Sequence, residues 1–149
     1  MTLWDWALQV YARQDVADAC LSLQDAHGQN VPYLLWAAWA AGEGRVADAK
    51  AAARLMKQWD AEVGAPLRGV RRALKAPFPA VADTAREPFR QALKDVKLQG
   101  ERVLLESLEA LSGPAGPPLD VLEGLLAAAA ASGDPPRRSA LERLATALA

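Results

Sequence analysis

The sequence predicts an all-α protein, and three observations carry that prediction. Ala and Leu together make up more than a third of the 149 residues, and both are strong helix formers. Ile is absent, and Val, Thr and Tyr nowhere alternate with polar residues as a half-buried strand requires. The stretch from Val31 to Ala41 carries no charge on any face, so as a helix it must be surrounded by others. The expected architecture is a compact bundle of about six helices around this central segment, followed by two short C-terminal helices.

The elements follow from caps and breakers. Thr2 is a good N-cap with Asp5 three residues on, which starts a first helix running to about Ala12. Asp15 is positioned to cap a second, Asp18 suits its N-terminal dipole, and Gly28 stops it. Asn30 caps a third, with Pro32 in the first turn where a missing N–H matters little, and Gly42 ends it. A fourth is expected from about Arg45 to Val63, stopped by Gly64. Pro66 then opens a fifth that ends before Pro77 and Pro79. Thr84-Ala85-Arg86-Glu87 reads as a capping box before a long sixth helix of roughly 85–112. Phe89, Leu93, Val96, Val103, Leu104, Leu108 and Leu111 fall at helical spacing along it, and Gly100 marks a close contact or a slight bend.

Ser112-Gly113-Pro114-Ala115-Gly116-Pro117-Pro118 is the one composition break that reads as a linker. The expected organisation is a bundle domain over 1–112, a Pro/Gly linker over 113–118 and a C-terminal extension over 119–149. Within that extension, helices near 119–132 and 135–147 are divided by Gly133-Asp134-Pro135, a stop followed by an N-cap and an N1 proline. Their apolar stripes (Leu122, Leu125, Leu126; then Leu141, Leu144, Leu148) are expected to pack back on the bundle, because a free apolar stripe is a solubility liability. Trp36 and Trp39 lie three apart in the central helix, and Trp4, Trp6 and Trp59 are their natural core partners. Losing any of these indoles from a core should cost about 3–5 kcal/mol.

The single cysteine, Cys20, excludes an intramolecular disulfide and sits in an apolar stretch as a small hydrophobe. The first residues lack a basic segment followed by an apolar run, so a soluble protein of the reducing cytoplasm is expected, with no membrane contact. The longest charge-free apolar run, Val31 to Gly42, is short of the ~20 residues a membrane span needs. A balance of 17 Lys+Arg against 18 Asp+Glu excludes a disordered charged tail and a globally basic nucleic-acid binder.

Several motifs resemble a known family. Trp4-x-Trp6, Tyr11-Ala12, Val16-Ala17-x-Ala19-Cys20-Leu21-x-Leu23-Gln24-Asp25-x-His27-Gly28-x-Asn30-Val31 and Leu34-Leu35-Trp36-x-x-Trp39 form its N-terminal part. Pro66-Leu67-Arg68-x-x-Arg71-Arg72-x-Leu74-Lys75 and Lys94-x-x-Lys97-Leu98-x-x-Glu101-Arg102 continue it. Over roughly residues 1–112 the chain resembles an uncharacterised family of short proteobacterial proteins, known as a domain of unknown function. The tail after Gly113 falls outside the resemblance. The resemblance implies the helical fold and the cytoplasm, and it implies no mechanism.

Two regions are candidates for chemistry. At the turn between the second and third helices, Asp25 could orient His27, the only histidine, with Asn30 nearby. The competing reading is structural: Asn30 caps a helix, Gly28 supplies the left-handed position, and Asp25 or Gln24 holds turn amides. Cys20 lies about 10.5 Å from His27 along a helix face, too far for proton transfer. With one His and one Cys, no metal-ligand spacing exists, and neither metal nor cofactor is expected.

The second region is basic. Residues 65–102 hold nine basic residues against four acids, a local net of +5, whereas residues 1–42 hold one against four, a net of −3. Leu67, Val70 and Leu74 form the expected buried stripe of the fifth helix. Arg68, Arg72 and Lys75 line the adjacent face together with Arg71, and Arg90, Lys94 and Lys97 repeat the spacing on the sixth. Paired antiparallel across Pro77-Phe78-Pro79, the two rows would border a groove for carboxylate or phosphate. Against this stands a solvated face neutralised by its own acids, such as Arg90 with Glu87.

The preferred expectation is a non-catalytic interaction or adaptor module whose cationic groove meets a protein partner with an acidic surface. The alternatives are a small-ligand binder or enzyme using the Asp25–His27–Asn30 turn, and a weak nucleic-acid binder. That last reading lacks a recognised module or aromatics among the basic residues. Self-association stays open.

Overall fold

A computed structural model describes residues 1–149 as eight α-helices. They are α1 (Leu3–Tyr11), α2 (Gln14–His27), α3 (Val31–Gly42), α4 (Ala49–Trp59), α5 (Ala65–Ala73), α6 (Asp83–Ala110), α7 (Val121–Ser132) and α8 (Arg138–Leu148). The sole β feature is an isolated bridge between Ala47 and Ser112.

Several of the expected local caps form at the ends of the first three helices. Thr2 accepts from the Asp5 N–H, and Asn30 accepts from the Tyr33 N–H with Pro32 in the first turn. Gly28 ends α2 in the left-handed region at φ 61°.

Five expected boundaries are corrected. Arg13, not Asp15, precedes α2, because its guanidinium donates to the Ala147 carbonyl at the C-terminal end of α8; Asp15 lies inside the first turn. The fourth helix begins at Ala49 rather than near Arg45, with the Asp48 carboxylate accepting from the Ala51 N–H. Gly64 does not stop it. A π-helical turn, Asp60–Gly64, joins α4 to α5, its wider ring closing from the Ala65 N–H to the Asp60 carbonyl. Pro66 has no N–H for the Glu62 carbonyl and its ring would crowd that oxygen, so the widened turn carries the helix past it.

The capping box at Thr84 does not form. The helix starts at Asp83 after Ala82, and Glu87 is taken by Arg86 and Arg90 instead of returning to Thr84. Finally, α8 begins at Arg138 rather than near Pro135, because Pro136 keeps the residue before it out of helical conformation.

The core of 28 buried residues is centred on α3, where every residue from Tyr33 to Ala40 is at most 5% exposed. Tyr33 and Trp36 stack at 5.6 Å, and their polar tips are satisfied inside. The Tyr33 hydroxyl donates to the Ala128 carbonyl at 2.7 Å and Trp36 Nε1 donates to Ser112 Oγ at 2.8 Å. Trp39 is buried, with the Arg45 guanidinium 4.6 Å from its ring centre. Trp4, Trp6 and Trp59 are a correction in degree: they pack on the core but remain half-buried.

α7 and α8 share this core. Leu125, Leu141 and Leu144 are fully buried, and α7 lies so close to α3 that a Cβ on Gly124 would fall 2.8 Å from that of Ala41. The Pro/Gly-rich stretch between α6 and α7 runs along the α3–α4 connection. Gly113, Gly116 and Leu119 donate their N–H groups to the carbonyls of Val46, Glu43 and Ala41. A Cβ at Gly44, whose φ is 62°, would strike the Pro117 carbonyl.

The stripes of α5 and of α6 as far as Val103 are not buried as expected. Leu67 and Leu74 are half-buried, while Val70, Phe89, Val96 and Val103 are exposed, because this hairpin leans on the bundle along one side only. Its inward anchor is Arg86. This buried guanidinium donates to the Leu74 carbonyl and pairs with Glu87 at 2.9 Å, joining the end of α5 to the start of α6.

Candidate functional site

The helical continuity of α4 and α5 brings Lys57, Asp60, Gly64, Arg68 and Arg71 onto one face at steps of three and four residues. That face, the α2–α3 turn, the middle of α6 and the α7–α8 connection enclose a cleft of about 420 Å³. Val31, Pro32, Met56, Val63, Leu67 and Leu104 give it an apolar floor, and the half-buried Trp59 forms a wall. Lys57, Arg68, Arg71 and Lys97 bring cations to it, Asp60, Glu101 and Asp134 bring carboxylates, and Gln24, Gln29 and Asn30 bring amides.

The cations are not equivalent. Arg68 is held by Asp60 through two bonds, at 2.8 and 3.2 Å, and that hydrogen bonding raises its already high pKa. Lys97 pairs with Glu101 at 3.4 Å, and Arg90 with Glu87 at 3.7 Å outside the cleft. No carboxylate pairs with Lys57 or Arg71 in the cleft, nor with Arg72, Lys75 or Lys94 on the exposed faces beyond it. Lys57 carries its Nζ beside Gly133, at the C-terminal end of α7 where free carbonyls favour a cation. Arg71 is half-buried with no such partner.

The two sequence candidates therefore meet at one place in part. Arg68, Arg71, Lys97 and Asn30 line the cleft, whereas Arg72, Lys75, Arg90 and Lys94 do not. Asp25 and His27 lie outside it and are not joined to each other. Asp25 is exposed and accepts only from Gln24, while Asn30 spends its side-chain oxygen on the Tyr33 N–H. Gln29 closes the turn by donating to the His27 and Asp134 carbonyls.

Sequence reasoning missed Lys57, Asp60 and Gln29, and it assigned Trp59 to the core alone. The signal was available in the common face of 57, 60, 64, 68 and 71, hidden by reading Gly64 as a stop.

A second cavity, of about 500 Å³, lies between α3 and the start of α7 and is mostly apolar. Its cation, Arg45, is held against Trp39 and donates to the Gly113 carbonyl. No group of three metal-ligating side chains occurs, and no helix is long and apolar enough to cross a membrane.

Fold and cleft together define a small all-α protein with one core and an open, cation-bearing cleft beside α3. The chain belongs to a family of proteins of unknown function, DUF2390, whose model matches residues 2–108. The match covers α1 to α5 and α6 as far as Leu108, so α7 and α8, which close the core, lie outside it. The chain matches no curated protein and no solved structure.

Proposed function

We propose that this protein is a cytoplasmic interaction module that holds an acidic segment of a partner protein in the cleft between the α2–α3 turn, α4–α5 and α6. The observation that carries the reading is Arg71, half-buried in the cleft that Trp59 also lines, without a carboxylate of its own. A guanidinium in that position donates two parallel bonds to a carboxylate, and partial burial strengthens the pair relative to open water. Lys57 supplies a second positive charge, and Arg72, Lys75 and Lys94 on the exposed faces beyond steer an acidic chain toward it. Trp59 and the apolar floor take the non-polar part of that segment.

The test uses a tryptophan-free oligoglutamate peptide at low salt, with tryptophan emission of the protein as readout and a Trp59→Phe variant to assign the signal. Saturable change that is lost with Trp59→Phe, weakens with salt and disappears with Arg71→Glu supports the reading. No response at low salt contradicts it. The cleft volume also suits a small anion. Saturation by inorganic phosphate without any response to the peptide would favour that second reading.

A further inference from the structure

The 28-residue α6 carries a second, outward stripe that the core does not use. Ala85, Phe89, Ala92, Val96, Gln99, Val103, Glu106 and Ala110 follow one another at alternating steps of four and three residues, and all eight are exposed. Phe89, Val96 and Val103, spaced by seven, are 56%, 46% and 45% exposed. From Ala85 to Val103 the stripe extends about 27 Å at 1.5 Å per residue. Steps of four and three are those of a helix seam that packs against another helix, with Phe89, Val96, Val103 and Ala110 at one seam position and Ala85, Ala92, Gln99 and Glu106 at the other. The inward face of α6, with Arg86, Leu104 and Leu108, points elsewhere.

We propose that this stripe is the contact surface for a second copy of the chain, with the two α6 helices antiparallel about a two-fold axis. Charge flanking the seam selects this occupant and this direction. Asp95 and Arg102 sit at the same flanking position one heptad apart. Antiparallel self-pairing sets Asp95 of one copy beside Arg102 of the other, and symmetry makes the pair twice. Parallel pairing sets these charges beside Gly100 and Ser107 of the other copy and joins nothing.

The same register faces Val96 with Gln99 and Ala92 with Val103, where the alanines allow close approach. Asp95 has no ion-pair partner within the chain. Arg102 pairs with Glu106 and lies over the Trp4 ring, with its side chain 55% exposed, so pairing across the two-fold exchanges one exposed ion pair for another. The proposal does not depend on the cleft.

The experiment is sedimentation of the full chain over a concentration series, with circular dichroism confirming that each variant stays folded. The expected result is a monomer–dimer equilibrium that Val96→Glu weakens by at least about tenfold. Asp95→Arg and Arg102→Asp should each weaken self-association by roughly three- to tenfold, because each alone sets like charges together. Mixing these two variants should restore association, since their mixed pair is again complementary. A monomer at every concentration overturns the proposal. So does a dimer that Val96→Glu leaves intact, and a mixture that fails to recover overturns the antiparallel pairing.

Discussion

Substituting Gly124 by Val tests how tightly the C-terminal helices are fitted. A Cβ at 124 would lie 2.8 Å from the Ala41 Cβ and 3.3 Å from the Ala37 carbonyl oxygen, against ordinary contacts of about 3.5–4.0 Å. Both obstacles are fixed to the α3 backbone, so α7 must move, and it carries the buried Leu125, Ala128 and Ala129 with it. Overpacking of this kind costs about 1–3 kcal/mol, while the better helix propensity of Val over Gly returns about half a kcal/mol. The net loss of about 0.5–2.5 kcal/mol should lower the melting temperature by about 1–10 °C in a chain of this size. Gly69, inside α5 with nothing within 4 Å of its would-be Cβ, is the control. There, Gly69→Ala gains about 1 kcal/mol of helix propensity and should raise the melting temperature by about 2–4 °C. Thermal unfolding followed at a helical wavelength measures both. A Gly124→Val protein as stable as the parent would refute the close approach of α3 and α7.

The remaining predictions concern a buried thiol, a buried phenol and a buried guanidinium. Burial pushes both the Cys20 thiol and the Tyr33 hydroxyl up to about 12 from their ordinary values of 9.0 and 10.0. The folded state thus holds protons that the unfolded chain releases, so stability is full below pH 9 and falls as pH rises toward about 12. Urea midpoints across that window should decline, less steeply in Cys20→Ala; a flat profile would show the two groups to be solvated. Arg86→Ala removes the link between the end of α5 and the start of α6. Amide exchange at 72–86 should accelerate while α3 is unaffected, and unchanged exchange there would deny the anchor its role.

Much of the helical layout is legible in the sequence because its caps are local. Thr2, Gly28, Asn30 and Gly133 act within four residues, so their chemistry is read without tertiary knowledge. The joint of α4 and α5 is not legible in that way. Gly64 and Pro66 each look like punctuation, and only a widened turn reconciles them with a continuing helix. On α6 the seven-residue spacing of Phe89, Val96 and Val103 is plain, but periodicity does not say which of two stripes meets the core. Packing against α3 through Leu104, Leu105 and Leu108 decides that.

The site divides similarly. Neutralisation of Arg90 by Glu87 and of Lys97 by Glu101 follows from helical spacing, whereas the convergence of Arg71, Asn30 and Trp59 on one cleft is a long-range product of the fold. Arg86 gives no sign in sequence that it turns inward.

Everything rests on α3 being enclosed on every side, by α7 as much as by the helices that precede it. Native-state hydrogen exchange of the amides of residues 35–41 tests this most directly. The account predicts that they exchange only through global unfolding, at the same opening free energy as the core amides of α7 and with the same response to denaturant. Exchange of residues 35–41 through openings far cheaper than unfolding, with α7 released first, would contradict it.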